Sequence, residues 1–171
     1  MRRCLLFSGV TLSLAALAPL AGADWHRIEF PPVKGQLGVI DGKVWVVAAP
    51  KASSTWYLIR GAQAGHIQVF EPREWKGWRL AYDPQGKDKA VFLDKGLAPG
   101  TEWKITYVEV EQETDYTIQA AEGKLKGWYL DVAEKPEKIT DAKGRRYTAY
   151  RVFLSQKPKR LPNVLLTVIA P

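Results

Sequence analysis

The sequence predicts an all-β domain built from three copies of a four-strand unit. Two observations carry this. Short apolar runs recur between Gly, Pro, Asp and Lys, and no long window holds a 3.6-residue period. One stretch also repeats. KGWRLAYDPQGKDKAVFL (Lys76–Leu93) returns as KGWYLDV (Lys126–Val132) with YRVFL (Tyr150–Leu154). A worn copy precedes it, as KGQLGV (Lys34–Val39) with KVWVV (Lys43–Val47).

The chain opens on what reads as a processing signal. Arg2 and Arg3 precede an apolar run from Leu5 to Leu20, and Ala21-Gly22-Ala23 forms a small-residue site, so cleavage is expected before Asp24. Ser8, Gly9, Thr11, Ser13 and Pro19 interrupt the run, which is short for a membrane span. A twin-arginine export signal is a second reading of Arg2-Arg3. The sole cysteine, Cys4, precedes the run, so the mature chain 24–171 is expected to fold without disulfides. Its length, 171 residues less 23, suits one domain with one core. Without Arg2 and Arg3, 23 of the 25 basic residues remain against 18 acidic ones. This mild, mixed basicity allows acidic partners or anionic envelope surfaces and forms no nucleic-acid stripe. The expectation is a secreted or periplasmic monomer with no further transmembrane segment.

Twelve strands are expected: 26–30, 37–40, 43–47, 56–60, 66–70, 78–82, 90–93, 103–110, 116–120, 128–132, 150–154 and 164–169. Asp41-Gly42 marks a tight hairpin turn, and Gln85-Gly86, Pro99-Gly100 and Lys143-Gly144 mark others. The strands fall into three sets, about 24–62, 63–112 and 113–171. First strands centre on Ile28/Phe30, Ile67/Val69 and Ile118/Ala120, and second strands follow the three Lys-Gly pairs. Third strands carry Val44-Trp45-Val46, Val91-Phe92-Leu93 and Val152-Phe153-Leu154. Fourth strands carry Trp56, Trp103 and Leu166, at 12, 12 and 14 residues from the third-strand Val. Alternation puts the paired apolar residues of each strand on one face. Each unit is too small to bury that face alone, so three must close on one another.

This pattern resembles the β-trefoil. Each copy has a Gly before its second strand, and the fourth strand carries a Trp-x-(Leu/Ile) anchor in two of them. The resemblance implies a six-stranded barrel capped by three hairpins, and covers the whole mature chain. Lys126–Val132 is similar to the Tyr-Leu-Asp segment of ricin-B-type lectin repeats. The Gln-x-Trp of those repeats is here Ser54-Thr55-Trp56, Thr101-Glu102-Trp103 and Val164-Leu165-Leu166, so Trp is kept twice and Gln never. A β-sandwich with regular hairpins is the competing architecture.

In such lectins an Asp after the second-strand Leu accepts hydrogen bonds from sugar hydroxyls and an aromatic ring stacks on the sugar. Charge-assisted bonds make a carboxylate suitable for this. The resemblance puts Asp131 in that role in the third copy, where the others have Gly38 and Ala81. The nearby aromatics are Tyr147 and Tyr150, and Asn163 is the only Asn in the chain. Asp131 also reads as a turn-capping or surface carboxylate.

The insertion 133–148, AEKPEKITDAKGRRYT, brings Lys143, Arg145, Arg146 and Tyr147 to a Gly turn. It reads as a protein- or anion-binding loop, as an inhibitory loop offering Arg145 or Arg146 to a trypsin-like protease, or as a solvated basic hairpin. Among the Trp residues, Trp56 and Trp103 read as core, and Trp78 and Trp128 as closing the barrel end. Trp75 reads either as an exposed stacking ring or as packed against a hairpin.

Catalytic signals are thin. His26 and His66 are the only histidines, which leaves a zinc site short of ligands. Glu109, Glu111, Glu113 and Asp115 read as a solvated edge, or more remotely as cation-binding or catalytic carboxylates. No cofactor or metal is expected. The expected function is non-catalytic binding, of a glycan first and of a protein surface second.

Overall fold

A computed structural model describes residues 25–49, 53–60, 66–96, 99–110, 113–158 and 164–169, with side chains at all of these except 59–60, 66–69, 107–110 and 113–115. The expected signal segment, Asn163 and the acidic side chains from Glu109 to Asp115 lie outside the described residues.

The protein is all-β. Its strands are β1 (Trp25–Phe30), β2 (Gly35–Ile40), β3 (Lys43–Val47), β4 (Trp56–Arg60), β5 (His66–Pro72), β6 (Trp78–Tyr82) and β7 (Val91–Lys95). They continue as β8 (Trp103–Val110), β9 (Glu113–Ala120), β10 (Tyr129–Val132), β11 (Glu137–Thr140), β12 (Arg146–Ser155) and β13 (Leu165–Ile169). One short 3-10 turn, Pro31–Val33, joins β1 to β2. All twelve expected strands are present. The insertion adds β11 and starts β12 at Arg146, four residues before the expected Tyr150.

Eleven strands form one antiparallel sheet that curls into a half-barrel, and β6 and β7 form a separate hairpin. Along the curl β1 pairs β4, β4 pairs β5, β5 pairs β8 and β8 pairs β9. The last strand, β13, pairs β1 in full and touches β9 through the bridge Tyr116–Val164. The hairpins β2–β3, β6–β7 and β10–β12 follow the three Lys-Gly pairs.

Those pairs do not turn identically. Gly77 and Gly127 take left-handed φ of 81° and 82°, which a side chain resists. In the first unit Lys34 takes that conformation, and Gly35 is buried in β2, where a Cβ would lie 2.6 Å from Val46 Cγ1.

One main core collects matching positions from the three units. Leu37, Leu80 and Leu130 are fully buried second-strand residues, and Val46, Leu93 and Leu154 join them from the third strands. Ile28, Phe30 and Ile118 enter from the first strands. A bulge at Ile59/Arg60 shifts the β4–β5 register, and Phe70 is fully buried among the described side chains of β5. The side chains of Ile67 and Val69 lie outside the described residues.

The fourth-strand tryptophans are fixed by one recurring bond. Trp56 Nε1 donates to the Leu37 carbonyl at 3.2 Å, and Trp103 Nε1 donates to the Leu80 carbonyl at 3.0 Å. Each anchor thus ties its fourth strand to the second strand of its own unit. Leu166, half-buried against the same core, has no side-chain N–H to offer.

Candidate functional site

Alternation along β10 sends Leu130 and Val132 into the core and leaves Tyr129 and Asp131 half-buried on the outer face. Across the ladder Asp131 stands opposite Phe153, and Tyr129 opposite Ser155. Directly opposed residues of an antiparallel pair share a face with Cβ atoms about 5 Å apart. The outer face of this hairpin therefore sets a carboxylate beside a phenyl ring, with a phenol and a hydroxyl next along. Burial pushes the Asp131 carboxyl above its usual range, and the hydrogen bond it accepts from Val132 N–H at 2.8 Å offsets only part of this. Asp131 lies within a strand and caps no turn. The capping role belongs to Asp83, whose carboxylate accepts from the backbone N–H groups of Gln85 and Lys87, both at 2.9 Å.

The same place in the first unit is Gly38 opposite Trp45, and in the second Ala81 opposite Phe92. An aromatic ring thus recurs three times on the outer face, and the acid occurs once. The triplets Val44-Trp45-Val46, Val91-Phe92-Leu93 and Val152-Phe153-Leu154 contain this signal. Their outer members face the core, and the ring between them marks the outer face.

Tyr147 and Tyr150 are not the partners of Asp131. Six residues separate Tyr147 from Phe153 on β12, or roughly 20 Å at the rise of a strand. Tyr150 has the opposite parity and packs against the main core.

Tyr147 and Arg145 instead meet at Asp141. The carboxylate of this buried residue accepts from the Lys143 and Arg145 backbone N–H groups at 3.0 and 2.8 Å. It also accepts from Arg145 Nε at 2.7 Å and the Tyr147 hydroxyl at 3.0 Å. Burial pushes the Asp141 carboxyl up, but the Arg145, Tyr147 and Lys143 donors together outweigh it and hold the group below the usual carboxylate range. Hydrogen bonding to Asp141 raises the Arg145 guanidinium, whereas burial first and the Asp141 bond second raise the Tyr147 phenol. The Arg145 guanidinium also sits 5.9 Å from the Tyr147 ring centroid.

This turn is docked on the body. Ala142 N–H donates to Asp41 Oδ2 at 2.8 Å, across to the β2–β3 turn. Beneath it Ile40, Val47 and Ala149 form a satellite core, with Trp45, Ile139 and Tyr147 packed on it. The insertion is therefore a folded hairpin with its own apolar underside. A cleft of about 210 Å³ lies beside it, lined by Asp41, Ser53, Glu74, Asp141, Arg145 and Tyr147. Its Asp41 and Asp141 carboxylates already serve as acceptors for the loop, so the network reads as structural. Arg146 is exposed at the start of β12.

Trp75 is half-buried against the main core, with its ring edge-on to Trp78 at 6.0 Å and close to Gly42. His26 is buried in β1, and the side chain of His66 lies outside the described residues. Among the described residues no group of three or more His, Cys, Asp or Glu is placed to hold a metal ion.

The sequence matches no protein-family model. A search of curated proteins finds no matching relative.

Proposed function

We propose that the chain is an exported, non-catalytic β-trefoil module that binds carbohydrate on the outer face of the β10–β12 hairpin. Support for the trefoil comes from the order of pairing. The sequence β1–β4–β5–β8–β9, continued by the Tyr116–Val164 bridge to β13 and back to β1, is the one that six barrel strands require. The three remaining hairpins are those that would cap its end.

The Asp131–Phe153 pair carries the binding reading. A sugar presents a C–H face to a ring and adjacent hydroxyls to an acceptor, and one outer face offers both groups. A glycan array followed by polysaccharide pull-down tests it. Binding is expected with the parent chain and with Tyr147→Phe, and is expected to be lost in Asp131→Ala and Phe153→Ala. Silence across the array, or binding indifferent to both of the last two changes, removes the reading.

A second reading, protein binding through residues 133–148, is supported by exposed Lys138, Lys143 and Arg146 on a hairpin fixed to the body. Its protease-inhibitor form would rest on Arg146, because Asp141 engages Arg145. Trypsin assays with Arg146→Ala test that form, and unchanged protease rates with the parent chain count against it.

A further inference from the structure

We propose that the groove between β3, β7 and the middle of β12 is a second subsite of this glycan-binding face, shaped for a carboxylated sugar residue of the uronic acid class. The inference rests on the carbohydrate reading above and extends it to the charge of the ligand.

The groove has a volume of about 350 Å³, and Gly42, Lys43, Trp45, Ala90, Phe92 and Arg151 are among its lining residues. Phe92 is 40% exposed, one of two large hydrophobic side chains so open among the described residues. Trp45 is half-buried beside it, anchored on one side by the satellite core. Two rings from different units thus face one opening. A ring pair of this kind suits a ligand with a flat C–H surface.

Charge narrows the class. The charged residues lining the groove are both cations, Lys43 and Arg151, and no carboxylate lines it. Arg151 is partly neutralised, since its Nε and Nη2 both donate to the Glu137 carboxylate. Lys43 is exposed and makes no ion pair among the described residues. A neutral sugar would use the rings and leave this ammonium idle. A uronate would use both, with its carboxylate on Lys43 and on the remaining N–H groups of Arg151.

Position ties the groove to the Asp131 platform. Arg151 faces Trp45 across the β12–β3 ladder, and Phe153 lies two residues further along the same face of β12. That step is about 7 Å on a strand. The bridge Ala90–Phe153 brings the start of β7 to the same place. One oligosaccharide can therefore cross from the acceptor Asp131 to the cations of the groove.

The test uses the purified chain with polygalacturonate, alginate and hyaluronate, each beside its carboxyl-reduced form, which keeps the sugar backbone and removes the charge. Tighter binding of a carboxylated form is expected, weakened roughly tenfold by Lys43→Gln, the size of one charge-assisted hydrogen bond. A comparable loss is expected in Phe92→Ala, whose exposed ring can be removed without opening the core. Equal binding of charged and reduced forms overturns the inference while leaving the carbohydrate reading in place, provided Asp131→Ala abolishes both. Charged-polymer binding that salt abolishes and Lys43→Gln and Phe92→Ala leave unchanged also overturns it, as unspecific attraction to a basic protein. If neither form of any polymer binds and Asp131→Ala alters no neutral glycan signal on the array, the carbohydrate reading falls and this one with it.

Discussion

Trp103 reaches across its own unit to hydrogen-bond the Leu80 carbonyl at 3.0 Å, inside a core where both residues are fully buried. Tyr82 and Phe70 stack edge-on against the same indole at 4.8 and 6.3 Å. Trp103→Phe removes the donor, strands a buried carbonyl and leaves a small void. The expected cost is about 2–3 kcal/mol by urea denaturation. Leu166→Ala, at the half-buried matching position of the third unit, should cost less than Trp103→Ala. The reverse order would contradict the asymmetry drawn here.

The Tyr82 hydroxyl knits two loops together. It donates to the Glu102 carbonyl at 3.0 Å and accepts from the N–H groups of Ala121 and Glu122 at 3.0 and 3.1 Å. Burial is the chief cause that pushes its pKa up to about 12. Tyr82→Phe keeps the ring and removes the acceptor of Glu122 N–H, while Ala121 N–H keeps the Glu102 carbonyl at 3.2 Å, so a loss of about 1 kcal/mol is expected. Faster amide exchange at Glu122 should accompany it.

Asp141 links stability to pH. Its folded pKa lies below the ordinary aspartate value, so the stability it lends is complete above that value and disappears as pH falls through the folded one. Asp141→Asn is therefore expected to lower Tm by several degrees at neutral pH, with the gap closing as the pH is taken below the folded pKa. A gap that persists undiminished in acid would show that the charge is not what holds Arg145 and Tyr147.

Asp131 behaves in the opposite sense. Burial raises its folded pKa, so its contribution favours the fold below the ordinary aspartate range and is lost as pH rises through the raised value. The ionised group is thus a cost at neutral pH. Asp131→Asn should leave Tm unchanged or higher at pH 7 while glycan binding falls. A drop in Tm would assign Asp131 to the scaffold.

The strands were legible because their period of two and their punctuation are local. All twelve could be placed from apolar runs and turns, and the repeated Lys-Gly, Val and Trp positions brought matching residues into one core. What escaped was set by pairing between distant segments. The strand β11 has little apolar character of its own and forms because Ile139 covers Ile40, Val47 and Ala149 on the other side of the ladder. The register shift between β4 and β5 comes from a bulge that a period count does not register. Asp131 was legible as an acid out of place in its repeat, whereas its neighbour Phe153 follows from the β10–β12 register. Proximity in sequence pointed to Tyr147 instead, whose hydroxyl is held by Asp141.

The most direct measurement of the central claim is a chemical-shift map of the isotope-labelled chain titrated with an oligosaccharide that it binds. The account predicts the largest shifts at Tyr129 to Val132 and Arg151 to Ser155, extending to Trp45 and Phe92 when the ligand carries a carboxylate. Shifts centred on the Asp141 turn or on Trp75, with the β10–β12 hairpin silent, would contradict it.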